Sequence, residues 1–170
     1  MTAATRKPDT LTTQPATDRS ITHATYVIER HYPTSVERTF AAFADAEQKR
    51  RWFMGSRGGE FQMDFRVGGR EVSRSVIGGG PLEGTQLTNE TVYQDIVPNE
   101  RIVFAYTMTL GNHRMSASLA TVQLRPGAGG TGTALVFTDQ GAYFEQSDGQ
   151  KMRESGWTQL LDSLGKALAT

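Results

Sequence analysis

From residue 59 to residue 140 the chain is broken by turn-forming residues so often that no crossover connection fits between successive extended runs. Runs over 61–67, 71–77, 86–97, 101–110, 115–124 and 133–140 are rich in β-branched and aromatic side chains. Gly68-Gly69, the glycine-rich stretch 78–84, Pro98-Asn99, Gly111-Asn112 and the loop 126–132 separate them. A parallel pair needs a crossover of about a dozen residues or more, so neighbouring runs must pair antiparallel as a meander. An earlier run with Tyr26, Val27, Ile28 and Tyr32, ended by Pro33, reads as a further strand.

Helical spacing flanks this region twice. Thr34 or Ser35 can cap a segment in which Val36, Phe40, Phe43 and Ala44 recur at helical spacing, continuing to Trp52 and Phe53. This predicts one bent helix or two short ones after the first strand. At the other end Arg153, Trp157, Leu160, Leu164 and Leu168 recur every three or four residues, flanked by Met152 and Leu161. A helix of about twenty residues, roughly 30 Å long, follows from that stripe. Its apolar side needs a partner, and the concave face of a twisted sheet is the one available. Ile102, Phe104, Tyr106 and Met108 share one side of their strand, as a one-sided core requires. The expected fold is therefore α+β, a curved antiparallel sheet of about seven strands wrapped around a long C-terminal helix. It forms a single domain over 21–170. Residues 1–20, rich in Thr, Ala, Pro and Asp, are expected to be a disordered polar tail.

Composition excludes several functions. Of the 170 residues, 18 are Lys or Arg and 18 are Asp or Glu, whereas a nucleic-acid binder usually carries a basic excess. The chain has no cysteine, which removes disulfides, thiol catalysis and iron–sulfur clusters. No apolar run approaches the ~20 residues that span a bilayer, and the first residues carry no apolar signal region, so a cytoplasmic location is expected.

Catalytic signatures are sparse. His23 and His31 fall on one side of the first strand but roughly 26 Å apart at ~3.3 Å per residue, and His113 follows a turn. No clustered ligand spacing appears, so neither a metal site nor a cofactor is expected. Gly78-Gly79-Gly80 lacks the helix and Lys-Ser/Thr of a phosphate loop, and no GxSxG occurs. Asp139 shares parity with Leu135 and Phe137, which admits an inward carboxylate, although exposure at a strand end is the more ordinary expectation. Asp64 and Arg66, with Arg70, Glu71 and Arg74, read as a solvated face; Lys49-Arg50-Arg51 reads as cations closing a helix. Trp52, Phe61, Tyr93, Phe104, Tyr106, Phe137, Tyr143 and Trp157 are candidates to line an apolar cavity, with core packing the alternative for each.

The stretches HYPTSVERTFAAFADAEQKRRWF, VYQDIVPNERIVFAYTM and LVFTDQGAYFEQSDGQKMRESGWTQLLDSL, in that order, resemble the START-like helix-grip (SRPBCC) superfamily. Trp52, the Pro98–Arg101 turn and the Gly156-Trp157 pair bring the chain nearest to its Hsp90-ATPase-activator-homologue and polyketide-cyclase-like branch. The resemblance spans about 22–168 and implies a hydrophobic pocket between sheet and helix. The leading expectation is binding of a small hydrophobic or aromatic molecule there. A cyclase or hydratase using Asp139, Tyr93 or Tyr106 to move a proton is the alternative, and a co-chaperone role is a third. A homodimer is left open.

Overall fold

The computed structural model describes residues 18–145 and 149–170. Strand β1 (Ile21–Tyr32) is followed by helices α1 (Val36–Ala44) and α2 (Ala46–Met54) and a 3-10 turn, Gly55–Arg57. Strands β2 (Glu60–Met63), β3 (Arg70–Val76), β4 (Gln86–Val97), β5 (Arg101–Leu110), β6 (His113–Pro126) and β7 (Thr133–Phe144) come next, then helix α3 (Gln150–Leu168). All seven strands form one antiparallel sheet in the order β1-β7-β6-β5-β4-β3-β2. The fold is the α+β arrangement that the sequence predicts. Its expected N-terminal tail falls almost wholly outside the described residues.

Local chemistry accounts for the breaks. Ser35 caps α1 by accepting from the Arg38 amide at 3.3 Å, and Asp45 caps α2 by accepting from the Gln48 amide at 2.8 Å. Asp45 itself has extended backbone (φ −89°, ψ 124°), so the helical stretch is two helices joined at a kink. Trp52 Nε1 donates to the Ala42 carbonyl at 2.8 Å and holds the two together. Asn99 and Gly111 take positive φ at the tight turns on either side of β5.

The concave side of the sheet carries the core. Tyr26, Ile28, Ile102, Phe104, Tyr106, Val122, Leu124, Leu135 and Phe137 are buried there against Trp157, Leu161, Leu164 and Leu168 of α3. Leu161 and Leu164 are fully buried; Leu160 is partly buried and Met152 exposed, so the stripe is rotated slightly from the predicted one. Tyr32 Oη donates to the Leu161 carbonyl at 2.8 Å, and the Tyr32 ring lies so close to Gly165 that an added Cβ would meet it at 3.1 Å. This tyrosine ties β1 to the helix, whose first turns face the opposite end of the bowl.

Three expectations need correction. The predicted strand 61–67 is only four residues long, ending at Met63. Glu71, expected on a solvated face, is buried at 2% relative exposure, and Lys49, expected among cations closing a helix, lies in the interior of α2 and is buried at 4%. Asp139, expected to be exposed at a strand end, has 0% exposure, because β7 continues to Phe144 between β1 and β6.

Candidate functional site

Sheet and helix do not close on each other everywhere. Between α2, the first half of α3 and strands β3 to β6 lies a cavity of about 570 Å³. Trp52 and Phe53 from α2, Met108 from β5, and Trp157 and Leu160 from α3 supply apolar and aromatic walls. Ser73, Ser75 and Asn89, on the concave sides of β3 and β4, give the opposite wall hydroxyl and amide groups. Ser56, Leu82, Met152 and Gly156 are also part of the lining and are exposed, which places the mouth among them. Arg153 is the single charged side chain in the lining among the described residues.

Behind Arg153 and Tyr106 the core holds a buried polar cluster. Strand register builds it: Asp139 lies between Tyr26 of β1 and Ala120 of β6, while Tyr106 opposes Ser118. The Tyr106 hydroxyl donates to Asp139 Oδ2 and accepts from Trp157 Nε1 at 2.9 Å. Arg153 Nη2 donates to Ser116 Oγ at 2.7 Å, and its guanidinium lies 5.5 Å from the centre of the Tyr106 ring. Burial raises the Asp139 carboxyl above its ordinary value, opposed by the Tyr106 hydroxyl, the Arg153 charge, and the Ser118 and Tyr26 hydroxyls. Those last two groups lie near enough to favour the carboxylate but fall short of hydrogen-bond geometry, as does Asp139 Oδ1. Burial, then the charge of Asp139, raise the Tyr106 phenol.

A second buried polar group lies outside the cavity wall. Lys49 Nζ is 2.5 Å from Glu71 Oε2 and donates to Tyr93 Oη at 3.2 Å, while Tyr93 Oη donates to the same Glu71 oxygen. The ammonium also stands 5.5 to 5.8 Å from the ring centres of Phe53, Tyr93 and Phe104. It fastens α2 to β3 and β4.

Of the eight aromatic candidates, Trp52, Tyr106 and Trp157 line the cavity. Phe104 and Phe137 stack on Trp157 from the core side, with ring centres 6.0 and 4.3 Å away. Tyr93 belongs to the Lys49 group, Phe61 packs on Phe53 at 6.2 Å, and Tyr143 is buried near Ser118 and Gly141. Of the three proton-transfer candidates, Tyr106 and Asp139 are bonded to each other, and Tyr93 is bonded to Glu71. Sequence reasoning did not single out Arg153, Lys49, Tyr26, Ser116 or Ser118 as site residues. For Arg153 a signal existed, since a charge on an otherwise apolar helical stripe is expensive to bury without a use. No group of three or more His, Cys, Asp or Glu suited to a metal occurs among the described residues. No helix among them is long and apolar enough to cross a membrane.

A seven-stranded bowl gripping a C-terminal helix, with a cavity between them, defines the helix-grip class of SRPBCC proteins. The family model described as activator of Hsp90 ATPase homolog 1-like protein matches residues 33–169, and the chain belongs to that family. No curated protein matches it. Among solved structures it is similar to Mll3558 from Rhizobium loti, at 48% identity and a TM-score of 0.79, covering 87% of this chain and 99% of that one. A Rhizobium leguminosarum protein is 39% identical with a TM-score of 0.81, covering 90% and 99%. DynU16, from the dynemicin biosynthetic locus, shares the fold at 18% identity and a TM-score of 0.61, covering 86% of this chain and 47% of that one.

Proposed function

We propose that this protein binds a small hydrophobic or aromatic molecule in the cavity between the sheet and α3. The observation that carries the reading is the composition of the wall: a space of about 570 Å³ faced by Trp52, Phe53, Met108, Trp157 and Leu160, with a few polar groups at defined points. Small-molecule sites have this size and this mixture, the apolar surface supplying affinity and the polar groups orientation. Membership of a family with the helix-grip fold supports the same reading.

Binding has better support than proton-transfer catalysis. The Tyr106 proton is directed at Asp139, its oxygen already accepts from Trp157, and Asp139 is not part of the cavity wall. A general acid or base needs a proton within reach of the substrate, and this pair directs it into the core.

The test is titration with N-phenyl-1-naphthylamine, a neutral aromatic whose fluorescence rises on leaving water. Saturable binding at one site per chain is expected, lost when Gly156→Trp places an indole in the cavity mouth. Absence of saturable binding, or binding unaffected by that substitution in a folded variant, overturns the assignment.

A further inference from the structure

The sheet side of the cavity narrows the class of molecule. Side chains two residues apart share one side of a strand, so Glu71, Ser73 and Ser75 face inward together from β3. On β4 the matching row is Leu87, Asn89 and Thr91, and the register sets Ser73 directly opposite Asn89. Cross-strand neighbours of this kind stand about 5 Å apart at Cβ, close enough for one small group to reach both. Ser73 and Asn89 line the cavity, yet only 8% and 9% of their surface is exposed.

Their hydrogen bonding is incomplete. Ser73 Oγ makes no hydrogen bond among the described residues. Asn89 Oδ1 accepts from Thr91 Oγ1 at 3.1 Å, and Nδ2 donates to Met108 Sδ at 3.2 Å. A thioether sulfur accepts weakly and cannot donate, so the atom beside Met108 is the amide nitrogen, held by a poor partner. That nitrogen carries a second N–H, for which the described residues supply no acceptor. Polar groups shielded from water are costly to leave unpaired, and here the unpaired positions of both residues belong to the cavity wall.

We propose that Ser73 and Asn89 form the orienting subsite of the cavity and select an apolar or aromatic molecule that carries an uncharged oxygen group, a hydroxyl or a carbonyl. Its oxygen accepts from Asn89 Nδ2 and shares a hydrogen bond with Ser73 Oγ, while the body lies against Trp52, Phe53 and Trp157 on the opposite wall. This rests on the binding function proposed above and specifies its ligand class.

Tetralin, 1-tetralol and 1-tetralone share a bicyclic body and differ at one carbon, which carries hydrogen, a hydroxyl or a carbonyl oxygen. Each can be titrated as a displacer of N-phenyl-1-naphthylamine. The alcohol, the ketone or both are expected to displace the reporter about three- to tenfold more effectively than the hydrocarbon, the range for one neutral hydrogen bond. Ser73→Ala should reduce that preference several-fold and leave tetralin and reporter binding nearly unchanged, while Ser73→Thr, which keeps a hydroxyl, should retain most of it. The wild-type comparison needs no variant, so it decides the matter even if Ser73→Ala fails to fold. Tetralin displacing as well as both oxygenated compounds, or a preference unchanged in Ser73→Ala, overturns the subsite and leaves the cavity function standing. Failure of the reporter itself to bind removes both.

Discussion

Lys49 is a residue type that is rarely buried without a partner, and its burial is explained by the groups around it. Glu71 balances the charge, Tyr93 bonds to both, and three aromatic rings surround the ammonium. Such a pair contributes little compared with apolar residues of the same shape, yet removing one member leaves an uncompensated charge in the core. Lys49→Met is accordingly expected to cost about 3–5 kcal/mol in urea denaturation. Adding Glu71→Gln removes the remaining charge while keeping an acceptor for Tyr93, and should bring stability back to within about 2 kcal/mol of wild type. If the double variant is no more stable than the single one, the cost comes from lost packing of the lysine stem. This group was not legible in the sequence. Lys49 and Glu71 are 22 residues apart and Lys49 and Tyr93 are 44 apart, so only the folded sheet brings them together.

At the scale of elements, α3 is a helix that gives up part of its own stability. Gly156 sits in its interior, exposed and at the cavity mouth, and a Cβ built there meets nothing within 4 Å. Glycine in a helix interior costs about 0.5–1 kcal/mol relative to alanine, with no close contact here to require it. Gly156→Ala should therefore stabilise the protein by about that amount in urea denaturation, since the methyl group has room. Gly156→Leu should retain most of the gain but weaken binding of N-phenyl-1-naphthylamine, since its larger side chain crowds the mouth. Loss of stability in Gly156→Ala would mean that the helix needs glycine for a backbone reason. Most of the elements were legible because period-two and period-3.6 patterns record which side of each is buried. What failed was end placement. The strand expected to stop at Gln140 runs on to Phe144 because β1 and β6 pair with it on both sides, and those four residues convert Asp139 from a strand end into an interior position. The cavity was legible only as a consequence of family resemblance, since periodicity fixes which residues face inward and not whether they meet.

For the molecule as a whole, the buried cluster around Asp139 couples stability to pH. Its ordinary carboxyl value is 3.8, and in the folded protein burial raises it, with Tyr106, Arg153, Ser118 and Tyr26 opposing the shift. A group that holds its proton more tightly when folded leaves the native state with more bound protons than the unfolded chain between the two values. Its contribution is thus most favourable below 3.8 and declines as pH rises through the elevated folded value. Asp139→Asn preserves an oxygen to accept from Tyr106 and removes the titration. Subtracting the unfolding free energy of the variant from that of wild type, at about pH 4 and about pH 8, cancels what the histidines and surface carboxylates contribute to both. The difference is expected to shift in favour of the wild-type aspartate at the acidic end and in favour of the Asp139→Asn variant at the alkaline end. A difference that stays flat across the range would mean that Arg153 and the surrounding hydroxyls fully offset burial; a slope of opposite sign would mean that they exceed it and hold the carboxylate ionised.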